Sequence, residues 1–243
     1  RVFKPDQPAF RLTPFRAKAR ALDQLGVDIM IVQRFNAEFS RRPAEDFVTQ
    51  VLVNGFGARH VVAGYDFVFG HNRGGNCEVL LAMGQKLGFG FTAVSAVEDA
   101  GGEVYSSTRV RNSLRAGDVK GAADILGRPF EIEGRVAHGD KRGRTIGFPT
   151  LNLHLGSVVR PQLGVYAVRI GHLDGDAETW MDGVANIGVR PTFGGQDVVL
   201  EAHAFDFDGD LYGQRITVAL VERIREEKKF DGLDALKAQI AAD

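Results

Sequence analysis

The chain has 243 residues, 44% of them hydrophobic and 25% charged, which is the composition of a globular protein long enough for two domains. Its formal net charge of −1 argues against broad binding to nucleic acid, because such binding requires an excess of positive charge. The apolar runs end well short of the ~20 residues of a membrane-spanning helix, so no membrane partner is expected. Cys77 is the single cysteine, which excludes an intrachain disulfide and a cysteine-based metal site and favours a cytoplasmic location.

Helices and apolar strands alternate in the first half of the chain. The spacing of apolar residues predicts helices over residues 13–26, 43–54 and 76–87, and short β-branched or apolar runs predict strands over residues 27–32, 60–63 and 91–97. This alternation is typical of a parallel sheet wrapped by helices, a Rossmann-like α/β domain. In such a sheet, ligands bind at the carboxyl ends of the strands.

The loop that follows the predicted strand 60–63 has the composition of a nucleotide or flavin surface. It combines aromatic residues, an arginine and several glycines with Asp66, which can accept a hydrogen bond from a ribose or a base. Phe67 offers an aromatic face in the same loop. A surface loop whose phenylalanines pack into the core would have the same composition.

A second candidate for anion binding is the start of the helix that follows Ser106. Ser107 and Thr108 offer hydroxyls and backbone N–H groups, and the helix dipole favours a negative charge there. Arg109 and Arg111 could supply charge to a leaving pyrophosphate. A plain helix cap with solvated arginines fits the same residues.

The pattern changes after a short predicted helix over residues 118–126. Gly127-Arg128-Pro129 marks the predicted boundary between a domain of residues 1–126 and a domain of residues 127–243. Strand-like segments then follow one another at 130–137, 164–170, 179–187, 198–205 and 215–224. Without intervening helices, they predict an antiparallel β-barrel, with a final helix packed against it.

The segment from Gly134 to Asn152 is the strongest candidate for a phosphate site. It concentrates four glycines and four lysines or arginines, so that backbone N–H groups and cations lie close together. Thr150 and Asn152 lie two residues apart in an extended chain and present a hydroxyl and an amide oxygen on one side, which suits Mg²⁺. A solvated hairpin loop is the alternative.

Glu201 is the candidate general base of the predicted barrel. It shares one face of its strand with Val199, His203 and Phe205, and a carboxylate in such a place can accept a proton from a substrate. A glutamate on a strand faces solvent more often than it performs catalysis.

These motifs resemble a known family. Phe-Pro-Thr-Leu-Asn at 148–152 resembles the Pro-Thr-x-Asn motif of riboflavin kinase, and residues 201–213 match the kinase pattern Glu-x-His-x-Phe-Asp-Phe-x-Gly-Asp-Leu-Tyr-Gly in full. Gly-x-Asp-Phe-x-Phe-Gly at 64–70 and Ser-Ser-Thr-Arg-Val-Arg at 106–111 are similar to signatures of FMN adenylyltransferase. The chain is identified as a member of the bacterial bifunctional riboflavin kinase/FMN adenylyltransferase family, also called FAD synthetase.

The resemblance implies two ATP-dependent reactions on small molecules, with Mg²⁺ as cofactor. The barrel would phosphorylate riboflavin to FMN, and the N-terminal domain would adenylylate FMN to FAD. The implied roles are Glu201 as the kinase base, Thr150 and Asn152 as ligands of Mg²⁺ and ATP, Gly139, Lys141 and Gly143 as the phosphate loop, Asn186 and Phe67 on the flavin side, and Asp66, Ser107, Thr108 and Arg109 as ATP-binding residues of the adenylyltransferase.

One family motif does not occur in this sequence. The first strand of the family carries Gly-x-Phe-Asp-Gly-x-His-x-Gly-His, whose histidines stabilise the charge on the α-phosphate of ATP, and these 243 residues lack it. We therefore expect that upstream sequence is missing and that FAD formation by this chain is impaired. Two alternatives remain open: a riboflavin kinase with a structural N-terminal domain, and a barrel that binds flavin or RNA without catalysis.

Overall fold

The computed structural model describes residues 8–137, 149–174, 177–192, 195–228 and 230–243. The chain divides into two compact units: the α/β unit, Ile29–Tyr105, and the barrel unit, which joins Pro8–Asp28 to Ser106–Asp243. These compact units do not test the predicted domain boundary between residues 126 and 127, so this boundary stays a prediction. None of the helices within the described residues is long and apolar enough to cross a membrane.

The helices and strands follow the predicted order, apart from residues 27–32 and from β4. The helices are α1 (Phe15–Gln24), α2 (Ala37–Ser40), α3 (Ala44–Asp46), α4 (Cys77–Leu87), α5 (Ser107–Ala116), α6 (Val119–Leu126) and α7 (Leu233–Ala242), with a π-helical stretch, Phe47–Val53, directly after α3. The strands are β1 (His60–Gly64), β2 (Gly90–Val94), β3 (Phe130–Arg135), β4 (Leu151–His154), β5 (Gly164–Asp174), β6 (Ala177–Thr192), β7 (Gly195–Ala204) and β8 (Arg215–Arg225).

The α/β unit is organised around the parallel pair β1 and β2. Their register runs from His60 opposite Gly90 to Gly64 opposite Val94. Parallel neighbours need a crossover connection, and α4 provides it. This helix begins at Asn76, whose side chain accepts a hydrogen bond from the N–H of Val79, and ends at Gly88, which has a φ of +81°. The parallel sheet with helices predicted for the first half of the chain is therefore confirmed.

Residues 27–32 do not form the predicted strand. The side chains of Val27, Ile29, Ile31 and Val32 are between 42% and 77% exposed, and this segment pairs with none of the described strands. A β-branched run becomes a strand only where a neighbouring strand supplies hydrogen bonds and a surface to pack against. The composition of the segment favoured a strand, but the described sheet of this unit consists of β1 and β2 paired with each other.

The barrel unit contains an antiparallel sheet with the described strand order β3-β8-β5-β6-β7-β4. A bridge joins its two end strands, because the N–H of Ala137 donates to the carbonyl of Asn152 at 2.9 Å. The sheet is thus a nearly closed barrel, as the sequence predicted. β4 was not predicted as a strand, because its four residues are too few to show a clear alternation.

Alternation along each strand separates the core of the barrel from its outer surface. The buried residues that fill the interior include Tyr166, Ile170, Ile187, Leu200, Ala202 and Val218. Successive side chains of a strand point to opposite faces. Glu201, which lies between the buried Leu200 and Ala202, is therefore on the outer face of β7.

The terminal helix is tied to the end of β8 by a charged contact. Arg225 donates from Nε and Nη2 to the two carboxylate oxygens of Asp243 at 2.7 and 2.6 Å, and Gln239 donates to the same carboxylate at 2.9 Å. The Arg225 hydrogen bond is the main cause that holds the pKa of Asp243 below its usual range. This contact fixes α7 against the barrel.

We expect a buried valine of β8 to matter far more to stability than an exposed valine of the same strand. Val218→Ala removes buried methyl groups and should lower the free energy of unfolding by about 2 kcal/mol. Val221, which is 41% exposed, is the matched control, and Val221→Ala should change stability by less than about 0.5 kcal/mol. Urea unfolding followed by the fluorescence of Trp180, the single tryptophan, reports on the barrel. Equal effects of the two variants would contradict the assigned core.

We also expect the docking of α7 to weaken in acid. Because the folded-state pKa of Asp243 is lowered, its stabilising contribution is full above the unfolded value of 3.8 and is lost as the pH falls through the folded value. Asp243→Asn should speed hydrogen exchange in α7 at pH 7, and the difference from wild type should vanish in strong acid. Asp234→Asn, in the exposed first turn of the same helix, is the control and should leave exchange near wild type.

Candidate active site

Asn152, Glu201 and Asn186 occupy equivalent positions on three neighbouring strands. Asn152 of β4 is the register partner of Glu201 of β7, and Glu201 is in turn the partner of Asn186 of β6. Directly opposed residues of an antiparallel pair lie on the same face with Cβ atoms about 5 Å apart. The three side chains therefore form a row across the outer face of the barrel. We call this row the polar row.

Glu201 forms an ion pair within this surface. Its Oε1 contacts Nη2 of Arg190, a residue of β6, and both side chains are about one third exposed or less. The apolar strand neighbours predicted from the sequence are thus only part of its surroundings, because the residues across the sheet are polar. The structure brings Glu201 next to Asn152, whereas its role as a base stays a prediction.

Asn152 has an unusual hydrogen-bonding position. The residue is 4% exposed, and its Nδ2 donates to the carbonyl of Thr150 at 3.4 Å. Its Oδ1 is buried and has no hydrogen-bond partner within the described residues. An unpaired buried amide oxygen costs about 1–3 kcal/mol, a cost that a bound cation or donor would remove. An amide oxygen is a ligand that Mg²⁺ accepts, so this position fits a metal site.

The chain just before β4 is held by two side chains from the region after Glu201. His203 donates from Nδ1 to the carbonyl of Pro149 at 2.9 Å, and the hydroxyl of Tyr212 donates to the carbonyl of Thr150 at 3.3 Å. These contacts explain physically why a histidine and a tyrosine follow the glutamate in the motif. They set the position of Thr150 beside the polar row.

The other end of the polar row contains a second carboxylate. Asn186 donates from Nδ2 to Oε1 of Glu227 at 3.2 Å. Gly188, two residues further along β6 on the same face, leaves room for this contact: a Cβ there would collide with Oε1 of Glu227 and lie 2.9 Å from Nδ2 of Asn186. The missing side chain at residue 188 therefore leaves space for the Glu227 carboxylate beside Asn186.

In the α/β unit, Asp66 and Phe67 lie just beyond the carboxyl end of β1, where a sheet of this class binds ligands. The ring of Phe67 stacks on that of Phe69 with centroids 5.4 Å apart, and Phe69 is buried whereas Phe67 is 40% exposed. The core alternative therefore holds for Phe69, and a flavin contact by Phe67 stays a prediction. One phenylalanine belongs to the core, and the other presents a ring at the surface.

The start of α5 is capped as a helix N-terminus. Ser106 accepts a hydrogen bond on its hydroxyl from the N–H of Arg109 at 3.2 Å, and Ser107 and Thr108 form the first turn. Arg111 donates from Nε to the carbonyl of Phe10 at 2.8 Å, and its guanidinium lies 5.7 Å from the centroid of that ring. This side chain thus joins α5 to the segment before α1, and its contact with a pyrophosphate stays a prediction.

Gly139, Lys141 and Gly143 lie outside the described residues, so their role in a phosphate loop stays a prediction. The described residues contain no cluster of three or more histidines, cysteines or carboxylates that could hold a metal.

Sequence reasoning did not single out Arg190 and Glu227. Arg190 lies four residues after Asn186, so both face the same side of β6, and this spacing was the available signal. Glu227 lies beyond the end of β8, and no local pattern links it to Asn186.

Comparison with known proteins agrees with this geometry. Residues 126–243 match the family model described as riboflavin kinase, and residues 1–109 match the model described as FAD synthetase. A bifunctional riboflavin kinase/FMN adenylyltransferase of Escherichia coli K12 is 43% identical over 242 residues, covering 100% of this chain and 76% of that protein. The protein of the same name from Bacillus subtilis is 37% identical, covering 98% of this chain and 74% of its own.

A crystal structure from Streptococcus pneumoniae, described as a macrolide-efflux protein, superposes with a TM-score of 0.85 at 33% sequence identity. The match covers 100% of this chain and 77% of that one. Its fold is therefore shared throughout the present chain. With relatives above 30% identity over about three quarters of their length, the chain belongs to the family of bifunctional riboflavin kinase/FMN adenylyltransferases.

Proposed function

We propose that the barrel transfers the γ-phosphate of ATP to a ribityl hydroxyl of riboflavin, giving FMN and ADP, with Glu201 as the general base. The observation that carries this proposal is the polar row, in which a carboxylate lies directly opposite an amide with an unpaired buried oxygen. A base and a metal ligand side by side meet the needs of phosphoryl transfer, which depends mainly on positioning and electrostatics.

In the proposed step, Glu201 takes the proton of the ribityl hydroxyl while the oxygen forms a bond to the γ-phosphorus. The bond between that phosphorus and the bridging β–γ oxygen breaks, and ADP leaves. A base must lie within about 3 Å of the hydroxyl oxygen for this transfer. The position of Glu201 on the outer face leaves it accessible to a substrate from outside the barrel.

Mg²⁺ belongs to the same proposal, with Thr150 and Asn152 as its protein ligands. When bound, the ion would neutralise charge on the β- and γ-phosphates of ATP. Support comes from the buried Oδ1 of Asn152, which lacks a partner within the described residues. Gly139, Lys141 and Gly143 are proposed to contact the phosphates from the preceding loop.

On the flavin side we place Asn186, because it lies opposite Glu201 in the polar row. An amide there can hydrogen-bond hydroxyl groups of the ribityl chain.

The adenylylation of FMN to FAD is assigned to the N-terminal part, which matches the FAD synthetase model. There we propose Asp66, Ser107, Thr108 and Arg109 as ATP-binding residues and Phe67 as a flavin contact. A cytoplasmic location is also proposed, supported by the single cysteine of the sequence.

Replacement of Glu201 tests the proposed base. Glu201→Gln keeps the shape of the side chain but cannot take a proton, so kcat for FMN formation should fall by about 10²–10⁴-fold while riboflavin binding is retained. The control is Glu222→Gln on β8, an exposed carboxylate paired with Lys120 at 2.8 Å, which should keep wild-type kcat. Chromatography of the products of ATP and riboflavin provides the measurement. A Glu201→Gln enzyme with wild-type kcat would contradict the proposal, and a wild-type chain that binds riboflavin without consuming ATP would indicate a non-catalytic module.

Replacement of Asn152 tests the proposed metal ligand. Asn152→Ala removes the amide oxygen, and the Mg²⁺ concentration for half-maximal activity should rise by about tenfold or more. The protein should stay folded, because the lost oxygen has no described partner in the free chain. Asn112→Ala, on the exposed surface of α5, is the control. An unchanged Mg²⁺ requirement for Asn152→Ala would exclude this residue from the metal site.

A further inference from the structure

We propose that Arg190 is a positioning residue for phosphoryl transfer: its guanidinium holds Oε1 of Glu201, so that Oε2 is presented to the substrate hydroxyl. This inference rests on the proposed function of Glu201 as the base. Arg190 acts through Glu201 and needs no contact of its own with riboflavin or ATP.

The contact between Arg190 and Glu201 is not the one that the sheet register alone would produce. Glu201 lies opposite Asn186, whereas Arg190 is four residues further along β6, about 13 Å away at the level of the backbone. The two side chains must therefore extend toward each other along the sheet to bring Nη2 to Oε1. The ion pair therefore holds both side chains in extended conformations.

Gly188 leaves the surface between the two ends of this diagonal without a side chain. It lies between Asn186 and Arg190 on the same face of β6, because alternate residues of a strand share a face. The space that a side chain at residue 188 would enter is taken by the carboxylate of Glu227, which lies beside Asn186. A Cβ there would already collide with Oε1 of Glu227.

The carboxylate directly opposite Arg190 is engaged by another residue. Asp197 is the register partner of Arg190, and its Oδ2 lies 2.9 Å from Nδ1 of His154 on β4. The surface thus contains two cross-strand acid–base contacts, His154 with Asp197 and Arg190 with Glu201. Through its contact with Glu201, Arg190 brings its positive charge beside the base.

The solvent exposure of Arg190 and Glu201 determines how strongly they attract each other. The side chains of Arg190 and Glu201 are 35% and 26% exposed, so solvent weakens their attraction without removing it. A guanidinium fixes the plane and direction of a carboxylate through its rigid donor geometry. When Oε2 takes the proton from the hydroxyl, Oε1 remains bound to Arg190, so the base keeps its orientation through the step.

The test is a set of variants at residue 190 in the full chain. Arg190→Met should lower kcat for FMN formation by about tenfold to a hundredfold, because the base is misplaced. The KM values for ATP and for riboflavin should stay within about twofold of wild type, because the substrates still bind. Arg190→Lys should recover part of the lost kcat, since it restores the charge but not the planar geometry. Arg169→Met on β5, whose partner Asp182 is 3.7 Å away in an exposed pair, is the control and should retain wild-type kinetics.

A double mutant separates this inference from the function on which it rests. On a Glu201→Gln background, Arg190→Met should cause no further loss of kcat, because residues that act as a unit are not additive. A further loss of the same size, or a rise in KM for ATP with unchanged kcat, would overturn the inference. Wild-type activity of Glu201→Gln alone would instead refute the proposed function. If Arg190→Met does not fold, the folded Arg190→Lys decides: a reduced kcat with unchanged KM supports the inference, and wild-type kcat overturns it.

Discussion

The antiparallel register of β4, β7 and β6 is the constraint on which the candidate kinase site depends. It places Asn152, Glu201 and Asn186 opposite one another, although the chain separates the first from the second by 49 positions (201 − 152). Because a shift of one residue would turn a whole strand over, the buried Leu200 and Ala202 fix the outward direction of Glu201. The core of the barrel and the chemistry of its surface are thus determined by the same alternation.

Around the polar row, the outer surface of the barrel combines paired charges with the amide oxygen of Asn152. Arg190 meets Glu201, and Asn186 meets Glu227, so each of these groups has a partner across the sheet. The amide oxygen of Asn152 stands apart, since it is buried and unpaired within the described residues. Such an atom is costly in a free protein, and the proposed Mg²⁺ ion would supply the missing partner.

Much of the fold and part of the site could be predicted from the sequence, for identifiable reasons. Local patterns predicted β3 and β5 to β8 of the barrel, the helix over residues 76–87, the helix that follows Ser106, and the motifs that contain Asn152 and Glu201. The strand predicted at 27–32 was wrong, because strand formation depends on a partner that a local pattern does not reveal. Arg190 and Glu227 were missed for the same reason, since their contacts arise from register between distant segments.

The most direct test of this account is a crystal structure with riboflavin, Mg²⁺ and a non-hydrolysable analogue of ATP. The account predicts a ribityl hydroxyl within about 3 Å of Oε2 of Glu201 and a Mg²⁺ ion on Oδ1 of Asn152. A flavin bound elsewhere on the barrel, or a Mg²⁺ ion that leaves Asn152 unoccupied while the nucleotide is in place, would contradict it.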